Sequence, residues 1–456
     1  MSARKKSGAA AARRAALAVP DLAVRRFELP CGAGVVVSPR AGAPVFSAEV
    51  HVRGGHSLDP AGREGTAYLS GGLLDQGTER RDEQEIVGLL EPAGGQISGS
   101  AWGLTGSIAG ADWKLLLDLL CEMTISPTYP KDRVDLHRGR LLDRLRVESD
   151  DPRTRAVWLF RQLVYGAHWL GRPEYGELES VERIRRSHLA SFHKKNWCGV
   201  RTLVTTCGDV DPEEVRRHLR RRLSGWKRGV DLDLIPWEEP AASSRVGAYF
   251  ADRQQVHVYL GHLGVRRSDP DYPALVVLDH ILGTGPGFTS RITRKLRDEL
   301  GLAYSVSAAI TPSASVFPGT FTAYIGTSPE HVETAIQGFL AEIHRIRDEL
   351  VSPDELELAR GYLLGSFALG FERASRRTRY LVYAERNRLP DRHLDELLAA
   401  FAEVTAEDVQ RAAQKHLLPE RCCVAAAGPI REEELERIVQ RALVKPRPKS
   451  RRTARR

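Results

Sequence analysis

The stretch "VERIRRSHLASFHKKNWCGVRTLVTTCGDVDPEEVRRHL" (residues 181–219) has a second, related copy in this chain of 456 residues. It aligns without gaps with "FAEVTAEDVQRAAQKHLLPERCCVAAAGPIREEELERIV" (401–439), at an offset of 220 residues. Each copy predicts an amphipathic helix, a short apolar strand that ends at Gly208 or Gly428, and a second helix with an acidic start. A repeat at this distance indicates a duplicated domain, because solenoid units recur every 20–50 residues or so.

A second, weaker repeat lies upstream. "LEPAGGQISGSA" (90–101) matches "LRDELGLAYSVSA" (296–308) at an offset near 207. Runs such as "FSAEVHV" (46–52) and "VHVYLGH" (256–262) alternate with the period of a strand, and helical stripes follow them. We therefore predict an α+β fold of two duplicated domains, each an antiparallel sheet covered by helices.

Composition suggests the domain boundaries. Segment 222–245 mixes Gly, Pro, Ser and charged residues without a lasting period, which is typical of a linker. The predicted domains are then an N-terminal one at 25–221 and a C-terminal one at 246–444. Disordered basic tails are expected at 1–24 and 445–456.

The net charge of +8 resides in these tails. Residues 1–20 contain five Lys or Arg and residues 445–456 contain seven, in both cases without an acidic residue. The rest of the chain has 55 basic and 59 acidic residues, a net charge of −4. We interpret the tails as solvated ends and expect no nucleic-acid partner, although a basic arm for an anionic surface stays open as an alternative.

The six cysteines form no C-x-x-C pair and no regular framework. Reduced thiols in a cytoplasmic protein are the simplest explanation. No apolar run approaches the roughly 20 residues of a membrane span, and the N-terminus lacks the apolar core of a secretory signal.

Several motifs, in a fixed order, indicate a known family. They are "GREGTAYLSGGLLDQGTERR", "GGQISGSA", "LGRPEYGELESVERI", "TLVTTCGDV" and "GPGFTSRITRKLRDELGLAYSVSA". Over roughly residues 25–440 the chain resembles the pitrilysin/insulinase-type metallopeptidases, in the branch of the processing peptidases. The resemblance implies a clamshell-like chamber, of which this chain forms one half.

The resemblance also identifies the positions of a metal site. In that family the first motif carries H-x-x-E-H on a helix, with two zinc-binding histidines, a glutamate as general base, and a distal glutamate as third ligand. Here these positions are, in the same order, Tyr68, Gly72, Gly71 and Arg144. Glycine offers no side-chain donor atom and arginine is a permanent cation, so we expect this chain to bind no zinc. The fourteen histidines form no other H-x-x-E-H or H-x-x-x-H motif.

A second functional element of the family lies in its second domain. There an arginine and a tyrosine reach the substrate at the zinc, and Arg297 and Tyr304 match their positions. Both groups can donate hydrogen bonds to a developing oxyanion. In bacterial relatives the two elements are often divided between paired subunits, so the resemblance implies zinc in a homologous, HxxEH-bearing partner and Arg297 and Tyr304 acting in trans.

The motif "GGQISGSA" corresponds to the edge strand on which the family binds an extended peptide by β-augmentation. The resemblance therefore implies a substrate-binding role for Gln96, Ile97, Ser98 and Gly99. Ordinary membership of the core sheet stays open as the alternative.

These observations together predict a non-metal-binding subunit of a heteromeric zinc endopeptidase that is inactive alone. Two other readings stay open. The chain could be a non-catalytic structural or adaptor subunit of a larger complex, or a stand-alone peptide-binding module.

Overall fold

Two copies of one sheet topology account for the repeat in the sequence. The structure, a computed structural model, describes residues 21–232, 237–240, 245–285 and 289–443. The described residues divide into two compact units. Unit 1 consists of the described parts of Met1–Glu148, His168–Glu238 and Tyr362–Ala402, and unit 2 of those of Ser149–Ala167, Glu239–Gly361 and Glu403–Arg456.

Unit 1 contains a sheet of six strands in the order β1-β2-β6-β3-β5-β4. The neighbours pair in antiparallel fashion, except that β2 and β6 are parallel. The strands are β1 Arg25–Glu28, β2 Gly34–Pro39, β3 Val45–Val52, β4 Gln96–Ser100, β5 Gly103–Ala109 and β6 Thr202–Gly208.

Unit 2 contains a sheet of five strands in the order β7-β11-β8-β10-β9. Its neighbours are antiparallel, except that β7 and β11 are parallel. The strands are β7 Val246–Phe250, β8 Val256–Leu263, β9 Val306–Ala309, β10 Thr320–Thr327 and β11 Cys423–Gly428.

The two sheets are equivalent strand by strand, apart from the additional β1. The repeated strands β6 and β11 each lie between one parallel and one antiparallel neighbour, and β4 and β9 each lie at an edge. The predicted α+β fold with two duplicated sheets is confirmed. The expectation of purely antiparallel sheets was wrong for one pair in each, because period-two alternation reports the exposure of a strand and not its direction.

Helices surround both sheets. The α-helices of the described residues are α1 Thr66–Gly72, α2 Glu83–Leu90, α3 Trp113–Ile125, α4 Lys131–Ser149, α5 Pro152–Tyr165, α6 Leu178–Glu182, α7 Arg186–Asn196, α8 Pro212–Arg222, α9 Tyr272–Asp279, α10 Val332–Asp348, α11 Pro353–Gly370, α12 Ala374–Arg386, α13 His393–Glu403, α14 Ala406–His416 and α15 Glu432–Leu443. Two π-helical segments, His280–Thr284 and Thr293–Glu299, lie in unit 2.

The repeated helix starts are stabilised by acidic residues. In α8 the Asp211 carboxylate accepts the Glu213 N–H at 3.1 Å, and Pro212 occupies the first turn, where its missing N–H costs nothing. In α15 three glutamates, from Glu432 onward, occupy the first turn. Negative charge at a helix N-terminus interacts favourably with the helix dipole, so both copies begin in a similar way.

Each half of the sequence contributes helices to the unit formed mainly by the other half: Ser149–Ala167 packs in unit 2, and Tyr362–Ala402, which includes α12 and nearly all of α13, packs in unit 1. Helix α5 belongs to unit 2, where Phe160 packs against Tyr259. Helix α12 belongs to unit 1, where the Thr378 carbonyl accepts the Thr205 hydroxyl of β6 at 3.1 Å. The predicted domains 25–221 and 246–444 were contiguous and did not foresee this exchange. The apolar face of a helix can be recognised in the sequence, but the sequence does not specify which sheet that face covers.

The predicted linker and tails lie only partly within the described residues. Linker residues 233–236 and 241–244, tail residues 1–20 and 445–456, and residue 444 of the predicted C-terminal domain are outside them. Of the predicted linker 222–245, Arg222 is the last residue of α8, and the other described residues contain no helix or strand. Residues 21–24 were assigned to the N-terminal tail, but Leu22 is buried and its carbonyl accepts the Ser38 hydroxyl at 2.6 Å.

Candidate functional site

Helix α1 is the element that carries the metal motif in the resembled family, and a carboxylate holds its N-terminus. Asp59 accepts the Gly65 N–H at 2.8 Å and the Ala67 N–H at 2.7 Å. Gly65 has a φ of 96°, which glycine adopts without strain. Burial raises the pKa of Asp59 to about 7, although the two hydrogen bonds act in the opposite direction.

The positions of the first histidine and of the distal glutamate meet in space. The Arg144 Nη1 atom, on α4, lies 3.4 Å from the Tyr68 hydroxyl oxygen on α1. Arg144 also donates from Nε to Glu148 at 2.6 Å, and its guanidinium carbon lies 4.7 Å from the ring centroid of Tyr175. The Glu148 carboxylate raises the pKa of Arg144, so Arg144 keeps its positive charge.

These four positions do not fit a zinc ion. Tyr68 supplies one phenol oxygen, whereas Gly71 and Gly72 supply no donor atom. The Arg144 guanidinium lies beside that phenol, where its charge would repel a metal cation. Residues Tyr68, Arg144, Tyr175 and Glu148 form a hydrogen-bonded and stacked cluster of their own instead.

Helix α1 is packed directly on edge strand β4. A Cβ atom at Gly71 would lie 1.8 Å from the carbonyl oxygen of Ser100, and a Cβ atom at Gly99 would lie 2.1 Å from the carbonyl oxygen of Gly71. Ser70, the residue before Gly71, is held by a second contact, since its buried hydroxyl lies 2.8 Å from that of Tyr129. A Cβ atom at Gly72, by contrast, would have no neighbouring atom within 4 Å.

The predicted substrate-binding residues lie on this edge strand. Gln96 and Ser98 are exposed, whereas Ile97 and Gly99 face the covered side of the sheet and are partly buried. Among the described residues β5 is the strand that pairs with β4, and the opposite edge of β4 has no strand beside it. The placement is compatible with peptide binding, because one edge of β4 has no strand beside it in the described part of the chain. It is also compatible with ordinary membership of the core sheet, because Ile97 packs against the core of unit 1.

Arg297 and Tyr304 are brought together in unit 2. Arg297 lies in the π-helical segment Thr293–Glu299, and its guanidinium carbon is 5.2 Å from the ring centroid of Tyr304. Its Nε atom lies 3.8 Å from the Asp298 carboxylate, and its side chain is 23% exposed. Tyr304 is 87% exposed. The pair is therefore a cation stacked on a phenol ring that faces solvent.

The turn between these two residues is anchored to the sheet. Gly301 has a φ of 64°, and the carbonyl of Leu302 accepts the Thr327 hydroxyl of β10 at 2.8 Å. Leu296, one residue before Arg297, is fully buried. The exposed pair thus stands on a base that is fixed at both ends.

Comparison with known proteins supports the family. Residues 183–363 match the family model described as the peptidase M16 inactive domain. The chain is 28% identical over 431 residues to an uncharacterized zinc protease of Streptomyces coelicolor, covering 91% of this chain and 92% of that protein. It is 29% identical over 416 residues to an uncharacterized zinc protease of Mycobacterium tuberculosis, covering 90% and 94%. The resemblance to this peptidase family is confirmed.

A solved structure shows the same fold. The crystal structure of a peptidase M16 inactive domain from Pseudomonas fluorescens superposes with a TM-score of 0.80 at 24% identity, covering 89% of this chain and 98% of that one. The fold of that protein thus extends over nearly all of this chain, beyond the region that the family model matches.

One polar cluster of unit 2 was missed by the sequence reasoning. Single ligand atoms of Asp269, Asp271 and His416 lie within 4.8 Å of one another. Lys415 Nζ, however, is 2.7 Å from Asp271, and it is the main reason that the pKa of Asp271 falls to about 2. The cluster is therefore an ion-pair network that ties α14 to the start of α9. No spacing in the sequence marks it, because its two parts are about 145 residues apart.

All six cysteines are buried and free. Within the described residues, no helix combines the length and the apolar character that crossing a membrane requires.

Proposed function

We propose that this chain is the metal-free subunit of a heteromeric zinc endopeptidase and that it contributes Arg297 and Tyr304 to a partner's active site. The observation that carries the proposal is the solvent-facing Arg297–Tyr304 pair in a chain of the M16 family whose own zinc positions are occupied by a tyrosine, two glycines and an arginine. The zinc and the general base come from a homologous HxxEH-bearing subunit. Six free, buried thiols are compatible with a cytoplasmic location.

The chemistry assigned to the pair is electrostatic. When water attacks a peptide carbonyl, negative charge develops on the carbonyl oxygen. A guanidinium and a phenol can each donate a hydrogen bond to that oxygen, and one such donor lowers the barrier by about 3 kcal/mol. Stacking on Tyr304 orients the Arg297 guanidinium before substrate binds, so that less reorganisation is needed in the transition state.

Peptide binding is assigned to the open edge of β4. An extended peptide can add as a further strand, with its main chain bonded to the free N–H and C=O groups of residues 96–99. Main-chain recognition of this kind tolerates many side chains. It suits an endopeptidase or a peptide carrier of broad specificity.

The test is reconstitution with an HxxEH-bearing homologous chain from the same genome. Cleavage of a quenched fluorescent peptide mixture gives kcat/KM for the complex. We expect Arg297→Ala to lower kcat/KM about 100- to 1000-fold and Tyr304→Phe about 10- to 100-fold, each mainly through kcat. Arg294→Ala is the matched control, since Arg294 lies on the same segment and its side chain is 52% exposed.

Other outcomes contradict the proposal in defined ways. If both variants leave turnover unchanged in an intact complex, the chain is a structural or adaptor subunit. If the isolated chain retains peptides and no homologous subunit associates with it, the chain is a stand-alone peptide-binding module.

A further inference from the structure

The contact between α1 and β4 is made by main chain on both sides. At Gly71 and at Gly99 an added Cβ atom would lie 1.8–2.1 Å from a carbonyl oxygen of the opposing segment. Real Cβ atoms essentially never approach heavy atoms of other, non-adjacent residues within 3.0 Å. Because the opposing atoms belong to the backbone, no rotamer change can relieve such a clash.

Neither segment is free to withdraw. Strand β4 is hydrogen-bonded to β5 along its whole length, from Gln96 to Ser100. Helix α1 is held at its N-terminus by Asp59 and in its middle by the Ser70–Tyr129 hydrogen bond. A side chain at position 71 therefore requires that one of these anchors break.

The three other family positions are not obstructed in this way. A Cβ atom at Gly72 has open space around it. Tyr68 and Arg144 already carry side chains whose polar atoms are 3.4 Å apart, and the Arg144 side chain is 48% exposed. Positions 68 and 72 are four residues apart on one helix and so lie on the same face.

We propose that the main chain of β4 occupies the place of the catalytic base in unit 1, whereas the three metal-ligand positions remain open to side chains. Zinc binding is then prevented by the residue types at positions 68, 72 and 144, whereas a glutamate at position 71 is prevented by steric overlap with β4. This inference concerns unit 1 alone and does not depend on a partner or on the role of Arg297 and Tyr304.

The first test compares two neighbouring glycines of α1. We expect Gly71→Ala to lower the Tm by about 5–10 °C, since its Cβ atom must displace α1 or β4. Gly72→Ala, with the same chemical change one residue later, is expected to leave the Tm unchanged or slightly higher. Equal Tm values for the two variants would overturn the proposal.

The second test rebuilds the ligands with and without the base. The triple variant Y68H/G72H/R144E presents two imidazoles and a carboxylate, and we expect it to fold and to bind one zinc per chain by elemental analysis and calorimetry. Adding G71E should lower the Tm by about 5–10 °C or unfold the chain, and should weaken zinc binding at least about ten-fold. The control Y68F/G72A/R144Q changes the same positions without supplying ligands and is expected to bind no zinc.

Each result decides one half of the proposal. A quadruple variant that melts and binds zinc like the triple variant shows that position 71 is not closed. A folded triple variant without zinc shows that the ligand positions are not open. Neither result bears on turnover by a complex of the native chain, so this inference and the proposed function can fail separately.

Discussion

Each unit has a glycine where a helix contacts an edge strand, but the two units differ in how far an arginine–tyrosine pair is exposed. In unit 1 the contact joins Gly71 to Ser100 of β4. In unit 2 it joins Gly283, in the π-helical segment His280–Thr284, to Ala308 of β9, where a Cβ atom would lie 2.2 Å from the carbonyl oxygen. Both contacts are made to an edge strand of the sheet, β4 in unit 1 and β9 in unit 2.

The difference lies in the exposure of the tyrosine side chain beside each arginine. In unit 1 Arg144 is bound to Glu148 and stacked on Tyr175, so its donors are directed to its own neighbours. In unit 2 Tyr304 projects into solvent with Arg297 behind it. Tyr68, beside Arg144, is partly buried against the core of unit 1, whereas Tyr304, beside Arg297, is 87% exposed.

The largest expected effect tests whether the glycine contacts are equivalent. Gly283→Ala should lower the free energy of unfolding by about 3 kcal/mol or more, since an added methyl group meets the main chain of β9. Chemical denaturation measures this loss. The control is Gly361→Ala on α11, where no atom lies within 4 Å, and a small gain in stability is expected there. A loss at Gly283 no larger than that at Gly361 would show that the two copies are not packed alike.

A smaller effect concerns pH, through one carboxylate with a raised pKa in each unit. Asp279 is 2% exposed and accepts hydrogen bonds from the Ile310 N–H and from the N–H and hydroxyl of Thr311, yet burial raises its pKa to about 7. The folded state therefore holds the proton at pH values where the unfolded state, with a pKa near 3.9, has lost it. Its contribution to stability is present below about pH 4 and is lost as the pH rises to 7 and above.

Asp279→Asn removes this titration. The stability of the native protein relative to the variant should fall between pH 5 and pH 8, on the order of 2 kcal/mol, when both are unfolded with urea. Asp59→Asn should change in the same direction, and by less, because Asp59 is only partly buried. A stability difference that does not vary with pH would contradict the raised pKa of Asp279.

The smallest expected effect distinguishes the two tyrosines. Tyr68→Phe removes one long hydrogen bond to Arg144 and should cost about 0.5 kcal/mol or less. Tyr304→Phe should leave the Tm unchanged within error, because the phenol is exposed and the ring that stacks on Arg297 is retained. Differential scanning calorimetry decides this, and a clear loss of Tm in Tyr304→Phe would show that its hydroxyl is structural.

Much of the fold could be predicted from the sequence because the repeat shows the same order of helices and strands in both halves of the chain. The runs 46–52 and 256–262 coincide with β3 and β8 to within one residue, and the repeated strands are β6 and β11. The parallel pairs and the exchanged helices could not be predicted in this way. Both depend on which distant segment meets a strand, whereas local periodicity reports only how that strand is exposed.

The candidate site likewise has a part that sequence motifs identify and a part that depends on contacts between distant segments. The family motifs identified Tyr68, Arg144, Arg297 and Tyr304 as site positions, and their roles stay predictions. The structure adds that Tyr68 lies next to Arg144 and Arg297 next to Tyr304. The contact at Gly71 had no local signal, since a glycine near a helix end predicts only a weaker helix. Its reason lies in the main chain of a strand that comes later in the sequence.

The exchange of helices has a consequence for synthesis of the protein. The sheet of unit 1 is covered by α12, which ends at Arg386, and the sheet of unit 2 receives β11, a strand between β7 and β8, only at Cys423–Gly428. A chain that emerges from the ribosome N-terminus first cannot cover the sheet of unit 1 with α12, or complete the sheet of unit 2, until most of its length has been translated. Until then the nascent protein exposes apolar strand faces that the folded protein covers, so we expect it to be most prone to aggregation before its C-terminal part has been made.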